Sequence, residues 1–463
     1  MRPTAVALID GEHYPPVVVE ALEKAGKRFR FVGALFLGGT EKIKTERLAE
    51  GAEDIYGLPV VLQRDWKQGL ELVLATYRPD VVVDLSDEPV LGYEQRFRLI
   101  SHSLARNVTY VGSDFQFSPP SEPRLCSHPS LSIVGTAKRV GKTAISGFAA
   151  RTLQSQGPHG GTDAAGVVVV AMGRGGPEHP EVIDGRGAAL NSTDLLEWSR
   201  KGRHAASDHF EDAVLSRVVT VGCRRCGGGL AGEPFVSNVA EGAVVADGLH
   251  PDLVIFEGSG AAIPPVHTDA RLLIAGAHQP LEYVAGYLGT YRLLTSDALV
   301  VAMAEEPLAT RAKVEAIIEA ATHINIDPAM VVPVVFRPRP AEPVEGRRVA
   351  FFSTAPESQH SVLKRHLEEH YECRVEMVSS HLSDRTALAA DLDAPEMDRV
   401  DTVLTEIKAA AIDVVAERAQ ERGLEVVFVD NHPEEAVPSH SGALAEVVAN
   451  LASMARDRYA RGD

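Results

Sequence analysis

The stretch from Leu131 to Thr143 limits what this 463-residue chain can fold into more than any other. A short apolar run feeds a loop that ends in Gly-Lys-Thr at 141–143, and a helical pattern follows from Ala144 to about Gln154. In a phosphate-binding loop the backbone N–H groups and the helix N-terminus face the phosphates. The alternative is a chance Gly-Lys-Thr, and the flanking strand and helix argue against it. The sequence therefore predicts a nucleotide-binding α/β core.

This loop predicts ATP and Mg²⁺ as cofactors. Lys142 would reach the β- and γ-phosphates, and the hydroxyl of Thr143 would hold the magnesium ion. One glycine departs from the usual pattern, because Thr136 stands where a glycine is expected and Gly135 comes one residue earlier. The predicted nucleotide-binding residues are Gly135, Thr136, Ala137, Val140, Gly141, Lys142, Thr143 and Ala144.

The net charge of the chain argues against polyanionic partners. A formal net charge of −18, from 46 basic and 64 acidic residues, argues against nucleic acid and against an anionic membrane surface. Basic residues that bind a polyanion must therefore be concentrated locally. Four cysteines do not make a disulfide framework, and no apolar run approaches membrane-spanning length. We expect a soluble cytoplasmic protein that binds neither nucleic acid nor membrane.

The alternation of strands and helices divides the chain into three blocks. Residues 1–124 predict an N-terminal α/β domain, 125–340 a nucleotide-binding core, and 341–463 a C-terminal α/β domain. Proline-rich segments at Ser118–Pro123 and Arg337–Pro340 are the predicted linkers. The predicted fold class is α/β, with a parallel-sheet P-loop NTPase core flanked by Rossmann-like α/β domains at both ends.

Two segments of the core place arginine beside glycine. Arg174 follows a valine-rich buried strand, where it would grip an anion, although a plain turn remains the alternative. Arg224 and Arg225 precede three glycines and predict a second anion-binding loop. The Cys-x-x-Cys of that segment has no second pair at zinc-finger spacing, and Cys126 and His128 could join it only through the fold.

A carboxylate follows the apolar strand Leu253–Phe256. Glu257 at that strand end suits magnesium, directly or through water, opposite Thr143. The alternative is an ordinary turn at the end of a strand. With a phosphate-binding loop upstream, the metal interpretation is favoured.

Weaker candidates lie in the flanking blocks. Glu12 and His13 follow the first strand, and Asp84–Glu88 follows another, so both loops qualify for ligand binding or are simply solvated. Lys408 lies in the mostly apolar run Thr402–Ala411. The alternative to a functional role is that Lys408 lies on an amphipathic helix, with its aliphatic stem along the apolar face and its ammonium group in solvent.

These motifs together resemble known families. The loop Gly-Thr-x-x-x-Val-Gly-Lys-Thr and the Glu-Gly-x-Gly at 257–260 resemble the dethiobiotin synthetase branch of P-loop proteins. With the stretches Met172–Pro177 and His204–Asp208 and the Arg-Arg-Cys-Gly-Gly-Gly at 224–229, most of the chain resembles cyclic 2,3-diphosphoglycerate synthetases. A surplus of arginine loops beyond what ATP needs fits an anionic second substrate.

The resemblance implies an ATP-dependent ligase acting on 2,3-diphosphoglycerate. ATP would activate one phosphate, and the neighbouring phosphate would displace inorganic phosphate to close a cyclic phosphoanhydride. It implies phosphoryl stabilisation by Lys142 with Lys138 or Arg139, although Lys138 is one place off the signature lysine of partition-type ATPases. Thr143 and Glu257 would hold magnesium. The implied substrate-binding residues are Arg174, Arg224, Arg225, His204 and Asp208, with Glu12, His13 and Lys408 as weaker members.

Two other functions stay open from the sequence. Another ligase on a dethiobiotin-synthetase-like core would act on a different small acid, but carbamate chemistry needs an amine and not two arginine loops. A switch or partition ATPase would bind a partner surface or DNA, and the acidic charge disfavours DNA. The sequence does not give the oligomeric state, and a homodimer is kept as a candidate.

Overall fold

The computed structural model describes residues 1–156, 166–187, 190–201, 208–437 and 442–462. Numbered along the chain, the strands are β1 (Thr4–Ile9), β2 (Arg30–Phe36), β3 (Val60–Leu62), β4 (Val81–Asp84), β5 (Thr109–Val111), β6 (Gln116–Phe117), β7 (Ser130–Gly135), β8 (Val167–Gly173), β9 (Glu181–Asp184), β10 (Val219–Cys226), β11 (Val236–Ser237), β12 (Leu253–Glu257), β13 (Ala270–Gly276), β14 (Ala298–Ala302), β15 (Val331–Pro340), β16 (Arg348–Phe352), β17 (Arg374–Ser379), β18 (Thr402–Thr405) and β19 (Glu425–Glu435).

The helices are α1 (Pro15–Ala25), α2 (Thr45–Tyr56), α3 (Trp66–Tyr77), α4 (Tyr93–Ala105), α5 (Lys142–Gln156), α6 (Ser192–Arg200), α7 (Asp208–Glu211), α8 (Val239–Asp247), α9 (Leu281–Val284), α10 (Gly289–Leu294), α11 (Arg311–Ile324), α12 (His360–Tyr371), α13 (Arg385–Leu392), α14 (Glu417–Arg422) and α15 (Ala443–Arg461). No helix in the described ranges is long and apolar enough to cross a membrane.

A first compact unit comprises Met1–Pro120 together with Pro280–Thr295. Its six-stranded sheet has the order β3-β2-β1-β4-β5-β6, parallel except for the pairing of β6 with β5. The second segment supplies α9 and α10, and Ser101 of α4 donates a hydrogen bond to the Tyr287 carbonyl at 3.0 Å. Because β2 and β4 lie on opposite sides of β1, the crevice of this sheet opens between the carboxyl ends of β1 and β4.

A second compact unit comprises Ser121–Gln279 and Ser296–Asp463. Its strands form one continuous sheet in the order β11-β10-β8-β12-β7-β13-β14-β15-β19-β18-β16-β17, with β9 also pairing β10. The order contains two parallel blocks, which meet at the antiparallel pair β15–β19. The α/β fold class with large parallel sheets is therefore confirmed, whereas the boundaries at 124 and 340 stay predictions.

The segment predicted as the second linker is part of a strand. Arg337 pairs with His432 and Pro340 with Val429 in the β15–β19 ladder. On the other side, β14 pairs with β15 only as far as Val334. The missing N–H groups of the prolines beyond that point therefore cost the ladder little, since one side of the strand is unpaired there. Proline content alone gave the wrong prediction.

Helix α5 is fixed to the sheet by packing and by an ion pair. Its apolar residues Ile145, Ala149 and Leu153 are buried. The guanidinium of Arg151 donates to the Asp430 carboxylate of β19 at 3.1 Å. Burial lowers the pKa of Arg151, and Asp430 opposes that shift. The helix that begins at the phosphate-binding loop is thereby held by the C-terminal strands.

Candidate active site

The loop between β7 and α5 has the shape of a phosphate cradle. Gly141 has φ of +88°, and a Cβ on it would lie 2.1 Å from Cζ of Phe336. A Cβ on Gly135 would lie 2.9 Å from Cδ of Lys142. The positive φ at Gly141 therefore favours glycine there, whereas a side chain at position 135 would have to displace the stem of Lys142. Helix α5 starts at Lys142 with its N-terminus toward the loop. These features fit the phosphates of ATP.

The lysine of the loop lies against the cradle. Lys142 is buried, and its Nζ donates to the Ala137 carbonyl at 2.8 Å. Lys138 and Arg139, the other predicted catalytic cations, are exposed, and Arg139 has a positive φ of 62°. The structure thus distinguishes one inward lysine from two cations on the outer side of the loop. Of the predicted nucleotide-binding set, Thr136 and Val140 lie in the loop between β7 and α5, and Ala144 lies in the first turn of α5.

The two predicted metal-binding residues are in direct contact. The Thr143 hydroxyl donates to Oε1 of Glu257 at 2.7 Å, and Glu257 is 2 % exposed. Their contact follows from the topology, because β12 lies beside β7 with Glu257 opposite Ile133. A hydroxyl and a carboxylate are hard oxygen donors, which is the donor chemistry that Mg²⁺ requires. The residues present therefore fit a magnesium ion bound with the nucleotide.

Two arginines from neighbouring strands converge beside this pair. A Cβ on Gly260 would lie 2.9 Å from Nη2 of Arg174 and 3.0 Å from Nη2 of Arg225. Arg225 is buried, and its Nη2 also donates to the Ser259 carbonyl at 2.6 Å. Ser259 and Gly260 are two and three residues after Glu257, so both guanidinium groups contact the segment that follows the predicted metal-binding carboxylate. Paired guanidiniums at a glycine-rich surface suit a phosphate group.

Arg224 faces the other way. Strand β10 continues to Cys226, with Arg224 opposite Gly173 of β8, so the prediction that Arg224 and Arg225 lie in a loop was wrong. Adjacent residues of a strand project to opposite faces, and Arg224 is exposed while Arg225 is buried. Nη2 of Arg224 lies 3.9 Å from a Glu178 carboxylate oxygen. The structure brings Arg225, but not Arg224, to Gly260.

Three further candidates are His204, Asp208 and Lys408. His204 is outside the described residues, and Asp208 begins α7 with its side chain also outside them. Lys408 follows β18 in a bend, so the amphipathic-helix alternative for its segment was wrong. Its Nζ donates to Oε2 of Glu211 at 2.6 Å. For all three residues, substrate binding stays a prediction.

Glu12 and His13 belong to the crevice of the first unit. Both backbone N–H groups donate to Oδ1 of the buried Asp10, at 2.9 and 3.1 Å, and Nδ1 of His13 lies 2.9 Å from the same oxygen. Oδ2 of Asp10 accepts from the Asp87 N–H at 2.8 Å, which ties the loops after β1 and β4 together. Asp10 was not among the residues predicted from the sequence, although a carboxylate directly after a buried strand was the available signal.

The chain resembles one family along most of its length. The profile of the cyclic 2,3-diphosphoglycerate synthetase N-terminal domain matches residues 4–118, its P-loop domain residues 130–335, and its C-terminal domain residues 340–432. A cyclic 2,3-diphosphoglycerate synthetase from Rubrobacter xylanophilus is 53% identical over 428 residues, which are 92% of this chain and 93% of that protein. This chain belongs to the cyclic 2,3-diphosphoglycerate synthetase family. The resemblance stated from the motifs is confirmed.

Archaeal members of the family are also similar over nearly full length. The synthetase from Methanothermus fervidus is 42% identical over 460 residues, covering 98% of each chain. The synthetase from Thermococcus gammatolerans is 46% identical over 430 residues, covering 92% of this chain and 93% of the relative. A crystal structure of a duf1611 family protein from Anabaena variabilis covers 91% of this chain and 99% of its own at 11% identity, and its TM-score of 0.18 is too low to support an argument about fold.

In this family member, a polar side chain that was not predicted from the sequence contacts the nucleotide loop. Gln279 is buried, and its Oε1 accepts from the Gly276 N–H at 3.1 Å and from the hydroxyl of Thr136. Thr136 is the residue that replaces the usual glycine, so Gln279 anchors the point where this loop departs from the common pattern. The signal was its position just after β13, the neighbour of β7.

Proposed function

We propose that this protein is an ATP-dependent ligase that closes 2,3-diphosphoglycerate to cyclic 2,3-diphosphoglycerate and releases ADP and phosphate. The observation that carries the proposal is the contact of Thr143 with Glu257 beside the converging guanidiniums of Arg174 and Arg225. In this proposal, a nucleotide site and an anion site adjoin on neighbouring strands. The names of the nearly full-length relatives support the same reaction.

The reaction joins two phosphates of one molecule in two displacements. In the first, an oxygen of one substrate phosphate bonds to the γ-phosphorus of ATP as the bond to ADP breaks. In the second, an oxygen of the neighbouring phosphate bonds to the activated substrate phosphorus, and inorganic phosphate leaves. The second displacement is intramolecular and gains from proximity once the charges are neutralised. The site must therefore above all offset repulsion between phosphates.

The side chains divide this work by position. The ammonium of Lys142, which lies against the loop carbonyl of Ala137, would stabilise negative charge on the transferring phosphoryl group. Arg174 and Arg225 hold the diphosphoglycerate phosphates by charge-assisted hydrogen bonds. Thr143 and Glu257 would hold Mg²⁺, which supplies charge neutralisation at the phosphate oxygens when bound.

Three further features are part of the proposal. Magnesium is the proposed metal because the donor set is a hydroxyl and a carboxylate. A cytoplasmic location fits a protein that uses ATP and a phosphorylated metabolite. A homodimer stays a prediction, which light scattering of the purified protein would measure directly.

Phosphorus NMR of the reaction mixture tests the proposed chemistry. With ATP, Mg²⁺ and 2,3-diphosphoglycerate, both substrate phosphorus signals should move together into the anhydride region while ADP and phosphate accumulate. The Lys142→Ala variant under the same conditions provides the inactive control. Consumption of ATP with unmoved diphosphoglycerate signals would refute the synthetase proposal. Adding amino-acid and dicarboxylate acceptors would then distinguish a different ligase from a switch ATPase.

A further inference from the structure

A cluster of three different ligand types lies outside the active site. Cys126, His128 and Asp247 present one sulfur, one nitrogen and one oxygen atom that all lie within 4.8 Å of one another. Nδ1 of His128 is 2.7 Å from Oδ1 of Asp247, and Sγ of Cys126 is 3.5 Å from the same oxygen. From the sequence, no third metal ligand could be assigned to Cys126 and His128. The fold brings Asp247 to them.

The local structure holds these side chains in place. Asp247 is the last residue of α8, and its carboxylate accepts from the backbone N–H of Ser127 at 2.7 Å and from the Ser127 hydroxyl at 2.8 and 2.9 Å. These hydrogen bonds hold the Asp247 carboxylate beside the segment that carries Cys126 and His128. Cys126 is buried, whereas the side chains of His128 and Asp247 are 24% and 27% exposed, which leaves an entry path for an ion.

The donor set selects the kind of ion. Thiolate, imidazole and carboxylate bind Zn²⁺ at about 2.0–2.3 Å in tetrahedral geometry, so bound donor atoms lie roughly 3–4 Å apart. The distances from Asp247 to its two neighbours need only small adjustments to reach that spacing. We propose that Cys126, His128 and Asp247 form a zinc site. The exposed His250, whose ring centroid is 6.1 Å from that of His128, is the candidate for the fourth position.

The Cys-x-x-Cys segment does not make a competing site. Cys223 and Cys226 both lie in β10, three residues apart. Side chains at that spacing project to opposite faces of a strand. In agreement, Cys223 is buried and Cys226 is exposed. The two sulfurs therefore cannot chelate one ion while the strand is intact.

The zinc site lies away from the chemistry but acts on the same strands. Cys126 and His128 precede β7, and Asp247 precedes β12 in the chain, so the ion would clamp the amino ends of two paired strands. The carboxyl ends of β7 and β12 lead to Thr143 and Glu257. A six-residue strand spans roughly 20 Å, so the ion would contact none of the reacting groups. The expected role is to stabilise the nucleotide core.

Metal analysis and cobalt spectroscopy test this inference. Tag-free full-length protein, stripped with a chelator and reloaded with Zn²⁺, should retain about one zinc per chain after desalting, and its unfolding midpoint should rise by several degrees. Co²⁺ in place of Zn²⁺ should give a thiolate charge-transfer band and the intense visible bands of tetrahedral coordination. Cys126→Ser should lose the charge-transfer band and the thermal shift, while the matched Cys226→Ser should keep both.

The variants keep the inference testable if Cys126→Ser is unstable. His250→Ala, at an exposed position, should weaken zinc binding without abolishing the thiolate band. Failure of the wild-type chain to retain zinc would overturn the site. Loss of the cobalt band in Cys226→Ser rather than in Cys126→Ser would overturn it equally. Neither result depends on turnover, so the zinc site and the proposed reaction can fail independently.

Discussion

The three basic side chains of the nucleotide loop differ in their exposure to solvent. Lys142 is buried with its Nζ against the loop carbonyl of Ala137, whereas Lys138 and Arg139 are exposed. A cation contributes most to catalysis when it is preorganised toward the charge that develops in the transition state. The geometry therefore favours Lys142 over its two neighbours, which the sequence alone had left as joint candidates.

Replacing Lys142 should abolish most turnover. In Lys142→Ala the lost interaction is concentrated in the transition state, so kcat should fall by roughly 100-fold or more. Lys138→Ala is the matched control, because it removes an exposed lysine from the same loop. Product formation by phosphorus NMR gives the rates, and circular dichroism checks the fold. Near-normal turnover of Lys142→Ala, or an equal loss in the Lys138 variant, would contradict the assignment.

Glu257 should set the magnesium requirement. Glu257→Gln keeps the shape and the hydrogen bond from Thr143 but removes the charge that faces the cation, so the Mg²⁺ concentration for half-maximal rate should rise by about tenfold. Glu406 offers a matched control, since it is equally buried and accepts from the hydroxyls of Ser353 and Thr354. A magnesium titration of activity compares Glu257→Gln with Glu406→Gln. An unchanged midpoint and maximal rate for the first would exclude Glu257 from the metal site.

At the scale of elements, the site is assembled by the order of the strands. Strands β10, β8, β12 and β7 are neighbours and parallel, so their carboxyl ends bring Arg225, Arg174, Glu257 and the phosphate loop to one side of the sheet. Adjacent residues of β10 project to opposite faces of the sheet, so only one of its two neighbouring arginines can face Gly260. The sequence predicted that Arg224 and Arg225 bind the same anion, but the alternation of side chains along the strand directs them to opposite faces of the sheet.

Because Arg224 and Arg225 face opposite sides of the sheet, their replacement should affect KM for diphosphoglycerate unequally. Arg225→Ala should raise KM for diphosphoglycerate by roughly 10–100-fold, because a charge-assisted hydrogen bond contributes about 1.5–3 kcal/mol. Arg224→Ala should change that KM little, since its guanidinium is exposed toward Glu178. In Arg225→Ala, KM for ATP should change less than KM for diphosphoglycerate. Thermal melts separate binding from unfolding, and equal effects at the two positions would refute the strand-based assignment.

At the scale of the whole chain, local patterns could be predicted and distant pairings could not. The runs that became β1, β7, β8 and β12, and the loop before α5, are defined by neighbours in sequence, so periodicity and glycine spacing were sufficient. Gln279 reaches Thr136 from 143 residues away, and Asp247 reaches Ser127 from 120 residues away. The β15–β19 pairing and the place of Pro280–Thr295 in the first unit likewise depend on contacts that no local pattern encodes.

The continuous sheet of the second unit predicts that its nucleotide core is not independent of the C-terminal strands. A chain ending at Pro340 would leave β15 as a long unpaired edge, remove Asp430 from Arg151 of α5, and delete helix α15, which packs on α5 and β7. An exposed edge of that length favours aggregation. The truncated chain should therefore bind ATP far more weakly than the full chain in calorimetry and should lose a cooperative thermal transition. A truncated chain that melts cooperatively and binds ATP with unchanged affinity would show instead that the boundary at 340 separates two autonomous domains.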